Sequence, residues 1–369
     1  MNRSLAQLAL AATIASLLAA CGGAADSTAP KPFSVARGGG GLGPLVGFRG
    51  ENVSFRLPAG IASADGRFFY VASAGTSSTD VQRYDRRTGT LIARRAIDGS
   101  WTLGGVSATG RFVALAAPGT ARSKILVVDT SSGRRQLITL RGRYDAEAVS
   151  PDGRAVYLIR WHGTSAYSVK YYDLARSQLR PATLSMKGQY VAPVMTGSPA
   201  GSIATSDGRW LLTLYLNTKQ GRAFVHALNL VDRNAVCIVL PGEGSGLSAL
   251  RSYALAASPD GKIAYAANPA LGVIAEVDLE GFGVEATIDM PKSRASATAS
   301  ALSESGRMLY VAAGSRLWAY DTEYLALRGP YEAHSPVTAL AFNGKTVFAV
   351  RGDGTALPFG AATGKELEA

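Results

Sequence analysis

Two cysteines and three histidines are all that 369 residues offer for thiol or imidazole chemistry. Cys21 and Cys237 make up the whole thiol supply, so stability from a disulfide framework is excluded. His162, His226 and His334 stand far apart, none with a second His or Cys at metal-ligand spacing, and no metal site is expected. Acids are also short: 27 Asp and Glu against 38 Lys and Arg leave a net charge of +11, which favours acidic partners or surfaces. No second apolar run accompanies the one at residues 5–18, and even that run is too short to span a bilayer comfortably. The sequence holds no Gly-x-Ser-x-Gly elbow, His-Glu-x-x-His pair or calcium-loop pattern. Gly38-Gly39-Gly40-Gly41 is followed by no Lys-Ser/Thr pair, so it is not a phosphate loop, and no cofactor is expected.

What is present favours β-structure. Hydrophobic residues reach 47% and charged ones only 18%, which fits a globular chain, and 42 Gly with 15 Tyr suit short strands joined by tight turns. The first twenty residues differ in kind: Arg3, then an apolar run, then Leu18-Ala19-Ala20-Cys21. This pattern is that of a secretory signal, and Leu-Ala-Ala-Cys followed by Gly22-Gly23 resembles the lipobox of bacterial lipoproteins. The resemblance implies lipid attachment at Cys21, export, and a membrane tether at the cell envelope. The organisation expected is therefore a signal over residues 1–20, a Gly/Ala/Pro-rich tether over 21–44, and a folded part over 45–369. Loss of Arg3 with the signal lowers the net charge by one, to +10. For an exported chain this basicity points to anionic headgroups or envelope polymers and away from nucleic acid. Cys237, inside Ala235-Val236-Cys237-Ile238-Val239, is expected as a buried thiol.

From residue 45 the chain repeats. A turn element recurs at Asp65-Gly66, Thr109-Gly110, Asp152-Gly153, Asp207-Gly208, Asp260-Gly261, Ser305-Gly306 and Asn343-Gly344, at intervals of 44, 43, 55, 53, 45 and 38 residues. Ser or Thr stands three residues before the glycine in six units, and Arg or Lys directly after it in all seven. Tyr70, Tyr157, Tyr265 and Tyr310 fall four residues after it. Asp-Gly and Asn-Gly supply the positive backbone angles that a two-residue hairpin turn needs. The small residues before each turn suit an innermost strand crowded around an axis. A third strand ends in Asp85, Asp129, Asp173, Asn229, Asp278 or Asp321, each placed to cap its own turn. Periods of this size with four strands per unit predict an all-β, seven-bladed β-propeller with four-stranded antiparallel blades. The last unit is short of a fourth strand, and residues 48–57 are expected to supply it and close the ring.

Ser258-Pro259-Asp260-Gly261-Lys262, Ala264-Tyr265-Ala266-Ala267-Asn268 and Val277-Asp278-Leu279 resemble the YVTN β-propeller repeat, with weaker copies at Tyr70-Val71-Ala72-Ser73 and Leu309-Tyr310-Val311-Ala312. The resemblance implies a bacterial, often exported propeller that is a binding or surface protein; some similar propellers are lactonases. Binding residues of propellers concentrate in loops. The candidate ligand-binding set on the face opposite the Gly turns is Arg141, Arg143, Tyr144, Arg160, Trp161, His162, Lys187, Arg251, Tyr253 and Arg294. Acids expected on the same face are fewer, among them Asp80, Asp145 and Glu147. The leading expectation is a monomeric, non-catalytic, lipid-anchored propeller that binds an envelope protein or an anionic polymer. One alternative is a lactonase- or hydrolase-like enzyme using His162, Glu147, Asp145 and His334. It is disfavoured because the innermost strands read as Ser, Ala, Val and Leu. The other alternative is a structural scaffold in an envelope complex.

Overall fold

The structure, a computed structural model, describes residues 46–49, 52–55 and 60–367, apart from 87, 118, 165, 182, 187–188, 191–193, 296–297 and 354. Cys21, the signal, the tether and Lys187 lie outside the described residues. The chain folds as the seven-bladed β-propeller that its repeats imply, each blade an antiparallel sheet whose strands pair in chain order. Sheet 1 holds Gly60–Ala62, Phe68–Ala74, Ser78–Asp85 and Leu91–Asp98; sheet 2 holds Thr102–Val106, Phe112–Ala117, Arg122–Asp129 and Arg135–Arg141. Sheet 3 holds Tyr144–Val149, Ala155–Trp161, Ala166–Asp173 and Gln178–Pro181; sheet 4 is built on Ser198–Ala204, Trp210–Asn217, Arg222–Asn229 and Asn234–Val239. Sheets 5 and 6 run from Ala254–Ala257 to Gly283–Asp289 and from Thr298–Leu302 to Ala326–Glu332. Sheet 7 comprises Val337–Asn343, Thr346–Arg351 and Ala356–Gly360.

The two long repeat intervals have separate causes. Thr183–Met186 adds to the outer edge of sheet 4 in parallel with Asn234–Val239, and Gln189–Tyr190 pairs with it in turn. Between sheets 4 and 5 a one-turn helix, Leu247–Leu250, fills the longer connection.

The Ser-x-Asp-Gly element forms a wider turn than the two-residue hairpin expected. Ser63 N–H donates to the Phe68 carbonyl and Gly66 N–H to the Ser63 carbonyl, so four residues lie between the strand ends. Only the glycine takes a positive φ (+71° at Gly66, +69° at Gly153); the Asp does not. The Asp acts instead as a hub, because Oδ1 of Asp152 accepts from Ser150 Oγ at 2.6 Å and from Arg154 N–H at 3.0 Å. The same contacts recur at Asp65 and Asp260. Ser150 Oγ in turn accepts from Ala155 N–H at 2.9 Å, which explains the hydroxyl at that repeat position. The acids ending the third strands cap their turns as expected; Asp129 Oδ1 takes Ser131 N–H and Asp321 Oδ1 takes Glu323 N–H.

Second strands such as Ala155–Trp161 are buried on both faces because a sheet lies on either side, while fourth strands such as Leu91–Asp98 run exposed along the rim. First strands touch one another around the axis between sheets 1 and 2, 2 and 3, 4 and 5, 5 and 6, and 6 and 7. Gly105 allows this approach: a Cβ there would stand 2.8 Å from Ala148 Cα on the next sheet. Buried apolar clusters join sheets 1–2, 2–3, 3–4, 4–5, 5–6 and 6–7. The repeat tyrosines tie blades together by their hydroxyls: Tyr157 donates to the Leu230 carbonyl of sheet 4 at 2.9 Å, and Tyr310 to the Ala361 carbonyl beyond the last strand of sheet 7 at 3.1 Å.

Closure of the last blade differs from the expectation for residues 48–57. Val46–Arg49 pairs with Asn52–Phe55 as a hairpin, and the described residues show no pairing of it with sheet 7. The outer edge of sheet 7 is met instead by the chain's own C-terminal residues. Gly364, at φ +66°, turns the chain so that Glu366 bridges Phe359 and Leu367 N–H reaches the Pro358 carbonyl. A turn that returns the adjacent segment closes the edge with less loop entropy than a strand brought from the far end of the chain.

Candidate functional site

The meander places two kinds of loop at opposite ends of every blade, and at the end opposite the Gly turns the bases of sheets 2 and 3 differ from Arg316 of sheet 6, which pairs with Glu332. At the Gly-turn end, five of the seven bases that follow the glycine pair with carboxylates: Arg111–Asp129, Arg154–Asp152, Arg209–Asp232, Lys262–Glu280 and Arg307–Asp321. At the opposite end, none of Arg122, Lys124, Arg141, Arg143, Arg160, Arg251 and Arg294 has a carboxylate within 4.0 Å among the described residues.

Five of these seven belong to one edge spanning sheets 2 and 3. Arg122 begins the third strand of sheet 2 and Arg141 ends its fourth, and the two are direct cross-strand partners. Like charges so opposed cost stability, and Lys124 adds a third base opposite Thr139. The chain then turns through Gly142 to Arg143 and enters sheet 3 at Tyr144. Tyr144 pairs with Arg160, whose guanidinium carbon lies 6.0 Å from the Tyr144 ring centroid. Arg143 lies 5.6 Å from the Trp161 ring, and its Nη2 has no hydrogen-bond partner. These cation–π contacts hold two flexible cations in place without neutralising them. His162, exposed next to them, hydrogen-bonds Ser168 Oγ at 2.9 Å; partial burial and the charges of Arg160 and Lys170 push its pKa down.

The structure thus gathers Arg141, Arg143, Tyr144, Arg160, Trp161 and His162 from the expected set. Arg251 with Tyr253 lies in the connection from sheet 4 to 5, and Arg294 in that from sheet 5 to 6. The aromatic members differ from expectation. Tyr144, Trp161 and Tyr253 are buried, at 2%, 7% and 5% exposure, so none offers a free ring face to a ligand, and the first two support guanidiniums from beneath. Tyr253 spends its hydroxyl on the Pro241 carbonyl. Arg122 and Lys124 complete the edge by register, a relation that periodicity alone does not supply.

Asp145 and Glu147 also depart from the expectation of loop acids. Both sit on the innermost strand of sheet 3, at 2% and 3% exposure, facing sheet 4. Asp145 Oδ2 accepts the Trp161 indole N–H at 2.6 Å; burial holds its pKa up against that bond and the charge of Arg143. Glu147 Oε1 stands 3.4 Å from Thr213 Oγ1 and its Oε2 has no partner. Burial, opposed by the Thr213 bond and assisted by Asp145, pushes Glu147 up to about 7. The hydrolase set does not assemble: His334 lies between sheets 6 and 7 and pairs with Glu366 at 3.5 Å, while both acids are enclosed.

No protein-family model and no curated protein sequence matches the chain. Solved structures do match in shape. The dihydro-heme d1 dehydrogenase NirN superposes with a TM-score of 0.55 at 16% identity, over 93% of this chain and 75% of that one. Saccharomyces cerevisiae Sqt1 gives 0.53 at 11% identity over 82% of each chain. The periplasmic gluconolactonase of Pseudomonas aeruginosa gives 0.46 at 19% identity over 82% of this chain and 95% of that one. At such identities the likeness concerns the propeller fold alone.

Proposed function

We propose that this chain is a non-catalytic propeller, exported and lipid-tethered through Cys21, that holds an anionic polymer along the basic edge of sheets 2 and 3. The observation that carries the reading is the contrast between the two ends of the blades. Five of the seven bases that follow the turn glycines meet acids, whereas among the described residues Arg122, Lys124, Arg141, Arg143 and Arg160 have none within 4.0 Å. Unneutralised guanidiniums fixed over rings are suited to carboxylate or phosphate groups of a ligand. A polymer fits better than a folded protein, because protein interfaces are anchored by accessible aromatic side chains and the rings here are buried. The net charge, +11 for the full chain and one less after loss of Arg3 with the signal, adds long-range attraction to an anionic envelope, and the lipobox-like Leu18-Ala19-Ala20-Cys21 supports the address. The test is envelope association of the intact chain when Arg141, Arg143 and Arg160 are replaced by Glu. The variant should be released from isolated envelopes at much lower salt than the wild type. Release at unchanged salt overturns the reading.

A further inference from the structure

Between sheets 3 and 4 two sulfur side chains meet, and an imidazole stands on the same sheet face beside them, behind the residues that line the adjoining pocket. Cys237 Sγ lies 3.2 Å from Met195 Sδ. His226 is the direct cross-strand partner of Cys237, which puts their Cβ atoms about 5 Å apart on one sheet face. Met195 is held against that face by its pairing with Tyr167 on the neighbouring sheet. His226 is 1% exposed, yet neither Nδ1 nor Nε2 has a partner. A buried imidazole with no hydrogen bond is an unusual expense for a fold. A pocket of about 160 Å³ reaches both sulfurs, with the exposed Val194 and Gln220 at its rim and Phe224 and Arg222 in its wall.

We propose that Cys237, Met195 and His226 form a binding site for a soft monovalent metal ion of the Cu(I) type. Thiolate and thioether donors select soft ions, and imidazole accepts them as well. The charge count selects the valence. Arg222 already sets one positive charge beside the single thiolate, so a monovalent ion adds less uncompensated charge among Phe224, Val194 and Val239 than a divalent one. Among the described residues no group of three His, Cys, Asp or Glu gathers, so hard divalent ions are offered no comparable set. Binding forms the S–Cu bond as the thiol proton leaves to solvent, with no change of oxidation state. The Arg222 charge favours the thiolate against the burial that otherwise pushes the thiol up to about 12. The sulfurs must part slightly to share an ion, which the unbranched Met195 side chain permits.

The test is a Cu(I) titration of the otherwise full chain under anaerobic, reducing conditions, in competition with a chromophoric Cu(I) chelator. A Cys21→Ser background makes Cys237 the only thiol. The folded protein should take up one equivalent and melt at a higher temperature with Cu(I) than without it. Affinity should fall at least about 100-fold in Cys237→Ala and about 10- to 100-fold in Met195→Leu and in His226→Leu. Met195→Leu nearly conserves volume, so its melting temperature without metal should stay close to the parent's. No stoichiometric uptake by the folded parent overturns the proposal, and so does uptake that Cys237→Ala or Met195→Leu leaves unchanged.

Discussion

Replacing Glu147 by Gln should stabilise the protein at neutral pH and leave it unaltered in acid. Glu147 is enclosed, with Oε2 unpartnered, and its native carboxyl titrates near about 7 against 4.5 for an ordinary Glu. Below about pH 4 both native and unfolded states hold the proton, and the carboxyl costs nothing extra. Between those two values the unfolded chain loses its proton while the native one keeps it, so stability falls as pH rises. Above about pH 7 the loss is complete, and a separation of this size corresponds to about 3 kcal/mol. Gln has nearly the same shape and no charge, so the penalty is absent at every pH. Asp145, also held up by burial, titrates in both proteins and drops out of the comparison. Urea unfolding of wild type and Glu147→Gln across this range measures the difference directly. It should grow from near zero at about pH 4 to about 3 kcal/mol at about pH 8. A difference independent of pH, or a Gln variant less stable than wild type at about pH 8, would refute the reasoning.

Further expectations concern the joints between blades. Tyr157→Phe leaves the buried Leu230 carbonyl without its donor and should cost about 1–3 kcal/mol in urea unfolding. Tyr324→Phe, at a ring 65% exposed, should cost almost nothing in the same assay. Gly105→Ala forces a Cβ to 2.8 Å from Ala148 Cα, and should lower stability by about 1–3 kcal/mol. Gly246→Ala, at φ −59° with open space around it, should be neutral or stabilise by up to about 1 kcal/mol, as calorimetry will show.

Much of the fold was legible because the repeat exposes its own logic. The turn glycine followed by Arg or Lys marks each turn from first to second strand, and its spacing fixes seven units. The width of the turn was not legible: the serine and aspartate close a four-residue loop by side-chain hydrogen bonds that a dipeptide signal does not encode. Nor was the closure, since an apolar, strand-like stretch at residues 48–57 says nothing of its partner. In the candidate site, the charges of Arg141, Arg143 and Arg160 could be assigned to one end by strand counting. That Tyr144 and Trp161 lie beneath them depends on which strand face is covered by sheet 2 or sheet 4. Asp145 and Glu147 resembled loop acids because Tyr-Asp-Ala-Glu-Ala-Val alternates acid with small or apolar residues. Only the packing of two sheets turns the acidic face of that strand inward. The meeting of Met195 with Cys237 spans 42 residues, and no motif announces it.

Salt dependence tests the basic edge most directly. Binding of the chain to a soluble linear polyanion is measured over a range of ionic strength. The comparison is between Arg141→Glu/Arg143→Glu/Arg160→Glu and a Gly-turn-end triple, Arg111→Glu/Arg209→Glu/Arg307→Glu. Each base that contacts the polymer releases about one counterion, so the loop-end triple should flatten the slope of log affinity against log salt by about three. The turn-end triple, whose bases already meet acids, should leave the slope nearly intact. Equal losses in the two triples, or none in the first, would contradict the account.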